Sequence, residues 1–428
     1  MVREKKIPDG YKETEVGIIP SDWDIRNVDQ FAEIDTGKRN TEDKEDSGKY
    51  DFFVRSKQIE KINSYSFDGE AVLTAGDGVG VGKVFHYISG KFDYHQRVYK
   101  ISNFKNVNGR YFYEYFKNNF LNQVSKYTAK SSVDSVRLEM ISKMKIPIPL
   151  EKEQKAIATA LSDIDDLILS LEKLINKKKL IKQGAMQELL TGKKRLDGFS
   201  EKSGRRYKEN KNTEGYKKTE VGIIPEDWNL MSLSSICVPN GLVRGPFGGS
   251  LKKEFFVKKG YKVYEQRNAI YKDLNIGNYY INQEKYNELI RFEVNVGEFI
   301  VSCSGTIGKI YKIPNNAPKG VINQALLKIK IDSTIVDDSY FNSYFSWYKF
   351  QNRIIDSTQG GAMKNLVGMD VFKNTLIPIP TIEEQKAIAN ILSDMDNEIE
   401  KLETKLDKYK NIKRGMMEEL LTGKRRLV

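Results

Sequence analysis

Residues 146–165 read IPIPLEKEQKAIATALSDID, and residues 377–396 read IPIPTIEEQKAIANILSDMD. The match runs on to ELLTGKKRL (188–196) and ELLTGKRRL (419–427), so 31 of 51 aligned positions are identical. A second repeat lies upstream of each block: GYKETEVGIIPSDW (10–23) returns as GYKKTEVGIIPEDW (215–228), with 12 of 14 positions identical. Internal repeats of this length mark a duplicated half and reset every later inference. The offsets are 205 residues for the upstream pair and 231 for the downstream pair, which places 26 extra residues inside the second intervening segment. The order is variable, repeated, variable, repeated.

Each downstream block reads as a long helix. Ile157, Leu161, Ile164, Ile168, Leu171 and Ile175 alternate spacings of four and three, and Ile388, Leu392, Met395, Ile399, Leu402, Leu406 and Tyr409 do the same. Thr381 and Glu384 form a capping-box signature after Pro378 and Pro380, while Gly192 and Gly423 stand where helix C-caps belong. From Glu151 to Leu190 such a helix spans roughly 60 Å, too long to be buried inside one small domain. Two stripes in one heptad phase predict an intramolecular coiled coil rather than two helices each packed on its own domain. Gly184 and Gly415 interrupt both helices at the same place, as a site of close packing or a bend. Residues 193–214 begin KKRLDGFSEKSGRRYKENKN and read as a solvated basic linker.

Composition bounds the function. The 428 residues carry 70 Lys and Arg against 58 Asp and Glu, a net charge of +12 that suits a polyanionic partner. The charge is uneven: residues 83–145 hold twelve basic and four acidic side chains, against eight and thirteen in 24–82. Cys237 and Cys303 with His86 and His95 are too few for a disulfide framework or a metal knot, and no apolar run approaches a membrane span. This places the chain in the cytoplasm. No Walker loop fits: a loop ending at Gly82-Lys83 needs glycine where Asp77 stands and a hydroxyl where Val84 stands, and Cys303 and Ile310 fail likewise around Gly308-Lys309. No dinucleotide fingerprint or adenine-methyltransferase N-P-P-Y or D-P-P-Y tetrapeptide is present, so no catalytic residue is nominated.

The variable segments are short Val, Ile, Tyr and Phe-rich runs broken by Gly and Asn, which predict mixed α/β domains. GEAVLTAGDGVGVGKVF (69–85) echoes GEFIVSCSGTIGKIYKI (297–313), and HQRVYKI (95–101) echoes NQALLKI (323–329), so the two are divergent copies of one fold. Candidate DNA-binding groups are the types that meet phosphates and base edges. They are Arg55, Ser56, Gln58, Lys83, Gln96 and Arg97 in the first segment, with Lys130, Ser131 and Ser132 in TAKSSVDSVR. In the second they are Arg244, Ser250, Lys252 and Lys253 around a Gly248-Gly249 turn, Gln266, Arg267, Asn268, Thr306, Lys309, Asn323, Gln324 and Lys364. Strand turns and buried hydrogen-bonded strand positions are the structural alternatives for these residues.

The motifs IPIPxxxEQKAIAxxLSDxD, ELLTGKxRL and the paired GYKxTEVGIIPxDW resemble those of the specificity (S) subunits of Type I restriction-modification systems, and together they cover nearly the whole chain. The resemblance implies an α+β, pseudo-two-fold duplicated fold: two mixed α/β target-recognition domains (1–149 and 215–380) joined by two long helices (150–192 and 381–428) in an antiparallel coiled coil. A seam from Ile157 to Lys178 spans about 33 Å, comparable to one turn of duplex, which suits a bipartite double-stranded DNA target. The resemblance further implies two modification subunits that bind S-adenosylmethionine and methylate adenine, and restriction subunits that use ATP and Mg. The chain itself is expected to bind no cofactor and no metal. A self-sufficient methyltransferase or nuclease, a coiled-coil adaptor with an incidental basic surface, and an RNA binder are the competing readings; no RNP-type aromatic motif favours the last.

Overall fold

The computed structural model describes residues 7–127, 135–199, 215–356 and 365–427. The chain divides into two compact units, one formed by residues 1–174 with 402–428 and the other by residues 175–401. Each unit therefore takes one variable segment and one half of each long helix.

In the first unit the chain runs through β1 (Tyr11–Thr14), β2 (Gly17–Pro20), β3 (Asp24–Asn27), β4 (Glu33–Thr36), β5 (Tyr50–Phe53), β6 (Ile59–Ile62), β7 (Phe67–Ala75), β8 (Phe85–Tyr94), β9 (Val98–Ser102), α1 (Gly109–Ser125), α2 (Leu138–Ser142) and β10 (Lys145–Ile148) into the 39-residue α3 (Glu151–Leu189). β1 and β2 form a hairpin, β3 pairs with β10, and six strands make one sheet in the order β4-β9-β7-β8-β5-β6. All neighbours in that sheet are antiparallel except β5 and β8. Helix α1 lays Tyr111, Phe112, Phe116 and Phe120 into a core shared with Trp23 just before β3, Val72 of β7, Ile101 of β9, and Ile157 and Leu161 of α3.

The second unit repeats the plan through β11 (Tyr216–Thr219), β12 (Gly222–Pro225), β13 (Asn229–Ser232), β14 (Cys237–Arg244), β15 (Tyr261–Tyr264), α4 (Gln266–Tyr271), β16 (Tyr280–Ile281), α5 (Gln283–Glu288), β17 (Phe299–Ser302), β18 (Ile310–Lys312), β19 (Gly320–Ile322), β20 (Leu326–Ile331), α6 (Asp338–Ser346), α7 (Tyr348–Ile354), β21 (Ile355–Asp356), β22 (Asn365–Leu366), α8 (Met369–Asn374) and β23 (Leu376–Ile379), ending in the 39-residue α9 (Ile382–Leu420). Here the sheet is split into β14-β20-β17-β18 and β16-β15-β19. The reason lies in one strand: the ten-residue β8 pairs with both β7 and β5, whereas its counterpart is broken into β18 and β19 around Pro314. The extra length is local too. The chain between β5 and β6 covers 54–58 but its counterpart covers 265–279, and the next connection covers 63–66 against 282–298.

The helical pairing is antiparallel within each unit. In the first, Glu172 of α3 meets Lys410 of α9 and Asp165 meets Lys413. In the second, Lys178 meets Glu398 and Lys182 meets Asp396, so rising numbers on one helix face falling numbers on the other. Ile157, Leu161, Ile164, Leu171, Ile175, Ile388, Leu392 and Ile399 are buried; Ile168, Met395, Leu402, Leu406 and Tyr409 are half-buried. A Cβ added at Gly184 or Gly415 meets nothing within 4 Å, so neither glycine serves close packing, and both helices run through them unbroken.

Two sequence expectations need correction. Arg195, read as part of a solvated linker, is buried at 7% exposure, and Leu196 packs on the second unit's core. Residues 200–214 of that segment lie outside the described residues. Only half of the capping box at α9 forms: Thr381 Oγ1 accepts from the Glu384 amide at 3.4 Å, but the Glu384 carboxylate turns to Arg195 and Trp228.

Candidate nucleic-acid interface

The repeated motifs build the same lock in each unit. In the second, Glu384 is 1% exposed and accepts from Trp228 Nε1 at 3.0 Å and from Arg195 at 2.7 and 2.9 Å. The Arg195 guanidinium reaches Asp227 with two further bonds of 2.8 and 3.0 Å. In the first unit Glu153 accepts from Trp23 at 3.1 Å and from Arg426, which also grips Asp22. Such a fully hydrogen-bonded Arg–carboxylate cluster is the arrangement in which buried charge is tolerated. Burial pushes the Glu384 carboxyl upward, and the Arg195 hydrogen bonds and charge oppose it. The adjacent Gln is a clamp: Gln154 Oε1 accepts from the amide of Asn108, the N-cap of α1, and Gln385 Oε1 accepts from that of Asp337, the N-cap of α6. Gly192 and Gly423 end the helices at φ +66° and +68°, where a Cβ would strike Pro225 and Pro20 at 2.4 Å. The EQ pair, the GK glycine and the IIPxDW tryptophan are thus one joint that seats a hairpin on a helix end.

With the scaffold locked, the variable loops gather at one end of the strands in each unit. In the first unit the bridge between Arg39 and His95, the Gln96 amide bonded to the Arg39 carbonyl, and the Gly76 amide bonded to the Arg97 carbonyl draw together three loops. Gly37 sits against the carbonyls of Tyr94 and His95, where a Cβ would lie 1.9 Å from oxygen. Arg55 and Arg97 both bond Asp77, at 2.9 and 2.8 Å, and both remain largely exposed. Burial acts against the Asp77 charge, but the two arginines hold its carboxyl below the ordinary value. Ser56 and Gln58 are exposed beside them, and the Ser56 carbonyl meets His86 Nε2 at 3.1 Å. Gln96 is exposed and bonds Asn40. His95 is buried and its Nδ1 accepts from the Arg97 amide at 2.9 Å; burial lowers its pKa, and the charges of Arg55 and Arg97 reinforce the shift. Lys83 stands apart, exposed on the loop beside Leu121 of α1.

The second unit joins the same loops with other side chains. Gly245 sits on the Asn323 carbonyl at 1.8 Å for an added Cβ, the Asn323 amide bonds the Tyr264 carbonyl, and the Cys303 amide bonds that of Ala325. Asn323 accepts from the Ala325 amide at 3.0 Å, the turn-holding job that His95 does in the other unit. Gln324 is exposed, as are Thr306, Lys309 and Arg267; Arg244, Ser250 and Gln266 are half-buried. Gln266 Oε1 is shielded from water with no partner among the described residues. Asn268 is spent on structure, bonding the carbonyls of Asp273 and Ile276 and the amide of Glu265. Lys252 and Lys253 open a 3-10 turn away from these bonds. Lys130, Ser131, Ser132 and Lys364 lie outside the described residues. Among the described residues no His, Cys, Asp and Glu group could hold a metal, and no helix is long and apolar enough to cross a membrane.

Residues 20–183 and 225–409 match the family model described as the Type I restriction modification DNA specificity domain. The chain belongs to this family. The two matches fall on the two halves that the repeats define. A putative Type I restriction enzyme MjaX specificity subunit of Methanocaldococcus jannaschii is 29% identical over 460 residues, covering 98% of this chain and 97% of that protein. The MjaVIII specificity subunit of the same organism is 27% identical, covering 98% and 96%. In fold, the chain is similar to the S subunit of a Type I restriction-modification system from M. genitalium, with a TM-score of 0.58 at 14% identity over 97% of this chain and 98% of that one. A chain from a structure of Type I restriction-modification complex assembly gives a TM-score of 0.54 at 12% identity, covering 95% and 99%. Family members are specificity subunits, the non-catalytic component of a complex with DNA and restriction-modification subunits.

Sequence reading missed two parts of this arrangement. The lock was invisible because its members lie up to 404 residues apart. The equivalence of α1 and α6 had a signal, since YFYEYF (111–116) aligns with YFNSYF (340–345), and Tyr111 and Tyr340 each donate to a proline carbonyl of their own unit's IPIP strand.

Proposed function

We propose that this chain reads a bipartite double-stranded DNA target, one half-site per unit, and directs adenine methylation and restriction by partner subunits in the cytoplasm. Two modification subunits supply S-adenosylmethionine, and restriction subunits supply ATP- and Mg-dependent cleavage. The observation that carries the reading is the gathering of equivalent loops at equivalent strand ends, armed differently in the two units. Paired arginines suit the O6 and N7 acceptors of guanine, whereas Gln266 and Gln324 suit the N6 and N7 of adenine. Lys83 and Lys309 supply phosphate contacts, which position the protein without carrying sequence information.

Modified-base sequencing of DNA from cells expressing the cognate modification subunit, with and without this chain, tests the reading. A split motif methylated only when the chain is present is the expected result. Identical methylation in both would overturn it.

A further inference from the structure

Among the described residues, two large apolar side chains stand almost entirely in water: Val79 at 95% exposure and Phe247 at 92%, with Tyr271 next at 66%. One lies in each unit, and both lie in the gathered loops. Exposed apolar residues are ordinary when scattered singly. Here the two extreme cases fall in the two loop clusters that hold the candidate base-reading groups, which calls for a shared cause.

Both side chains are presented by anchored loops. Val79 occupies the centre of the 3-10 turn Gly78–Gly80. Gly78 enters that turn at φ +74°, and Gly80 is pressed on the Arg55 carbonyl, 2.5 Å from where a Cβ would be. Asp77, immediately before, carries the Arg55 and Arg97 pair. Phe247 follows Gly245, seated on Asn323, and the buried Pro246; its carbonyl accepts from the Ser250 amide at 2.9 Å. Each apolar group is thus the first free side chain beyond a fixed point, beside exposed polar groups suited to base edges.

The major groove offers one apolar feature at base level, the thymine 5-methyl group. We propose that Val79 and Phe247 each pack on a thymine methyl in the half-site read by their own unit, and so set a thymine preference there. This rests on the DNA-reading function above and refines it. The two positions are not equivalent in the duplication: the loop holding Phe247 corresponds to the one holding Arg39, while Val79 lies on the loop corresponding to Ser304–Ile307. The units therefore take their methyl contact from different loops, at different places in each half-site.

The test uses the full chain and a duplex bearing its methylated motif, with each thymine replaced in turn by uracil, which removes only the methyl. One uracil in each half should weaken binding about fourfold, the loss of one buried methyl. Phe247→Ala should abolish that sensitivity in one half, and Val79→Ala in the other, leaving the opposite half unchanged. A flat uracil scan, or sensitivity that persists in both variants, overturns the proposal. So does a Phe247→Ala variant that alters DNA bending while leaving uracil sensitivity intact, which would make Phe247 an intercalating wedge. Failure to prefer the motif over a scrambled duplex would instead sink the DNA-reading function, and the methyl contacts with it.

Discussion

The two units are one plan executed twice, and their differences fall into two kinds. Where the repeats are identical, the joints keep the same Trp–carboxylate–Arg bonds and differ in depth: Arg195 has 7% of its side chain exposed, and Arg426 has 31%. Where the sequences diverge, the backbone contacts persist but the chemistry changes. The position of His95 holds Asn323, that of Arg97 holds Ala325 and that of Arg55 holds Gln266, so the Asp77-bridged pair of arginines has no counterpart in the second unit. A scaffold that keeps its joints while exchanging loop-edge side chains can change what it reads without changing how it folds.

The largest effect should come from breaking a joint. Arg195→Ala leaves Glu384 buried without its cation and should cost the second unit roughly 3–5 kcal/mol. Arg426→Ala should cost the first unit less, because its site is more open to water. Hydrogen exchange resolved by unit checks this, and equal losses would break the asymmetry. Next in size, Arg55→Ala or Arg97→Ala should weaken binding by roughly 1–3 kcal/mol and relax preference in one half-site only, as measured by titration of duplexes altered in either half.

His95 has a lowered pKa in the folded chain, so the unfolded state binds its proton first as pH falls. This contribution is complete above the ordinary histidine value of about 6.5 and is lost as pH falls below it. The first unit should therefore loosen between neutral and mildly acidic pH, and His95→Asn, the residue type found at Asn323, should flatten that dependence. His86, also lowered by burial, contributes in the same direction and should leave a residual slope. Exchange rates for the first unit at two pH values decide the matter. The smallest effect is expected from Gly184→Ala and Gly415→Ala, each stabilising by about 0.5–1 kcal/mol in thermal unfolding, since a Cβ has open space at both.

Much of the fold was legible in the sequence because the duplication is nearly literal where the scaffold is made: the 3-4 stripe around Ile157 and Ile388 needs no long-range knowledge to read. Arg195 was misread because a local charge run looks solvated whether or not a partner waits nearly 200 residues away. The site was legible as residue types but not as a geometry. Arg55 and Arg97 were separate candidates until Asp77 joined them, and Asn268 looked as eligible as Gln266 until its three hydrogen bonds assigned it to a turn. Val79 and Phe247 went unnoticed because exposure is a property of the folded loop, and an apolar residue in a sequence is presumed to be core.

The central claim is that each unit reads its own half of the target. Modified-base sequencing of cells expressing the chain with Arg55→Ala and Arg97→Ala, set beside cells expressing Gln266→Ala and Gln324→Ala, tests it most directly. The account predicts that each pair of substitutions relaxes a different half of one split motif and leaves the other half intact. Both pairs altering the same bases, or neither altering any, would contradict it.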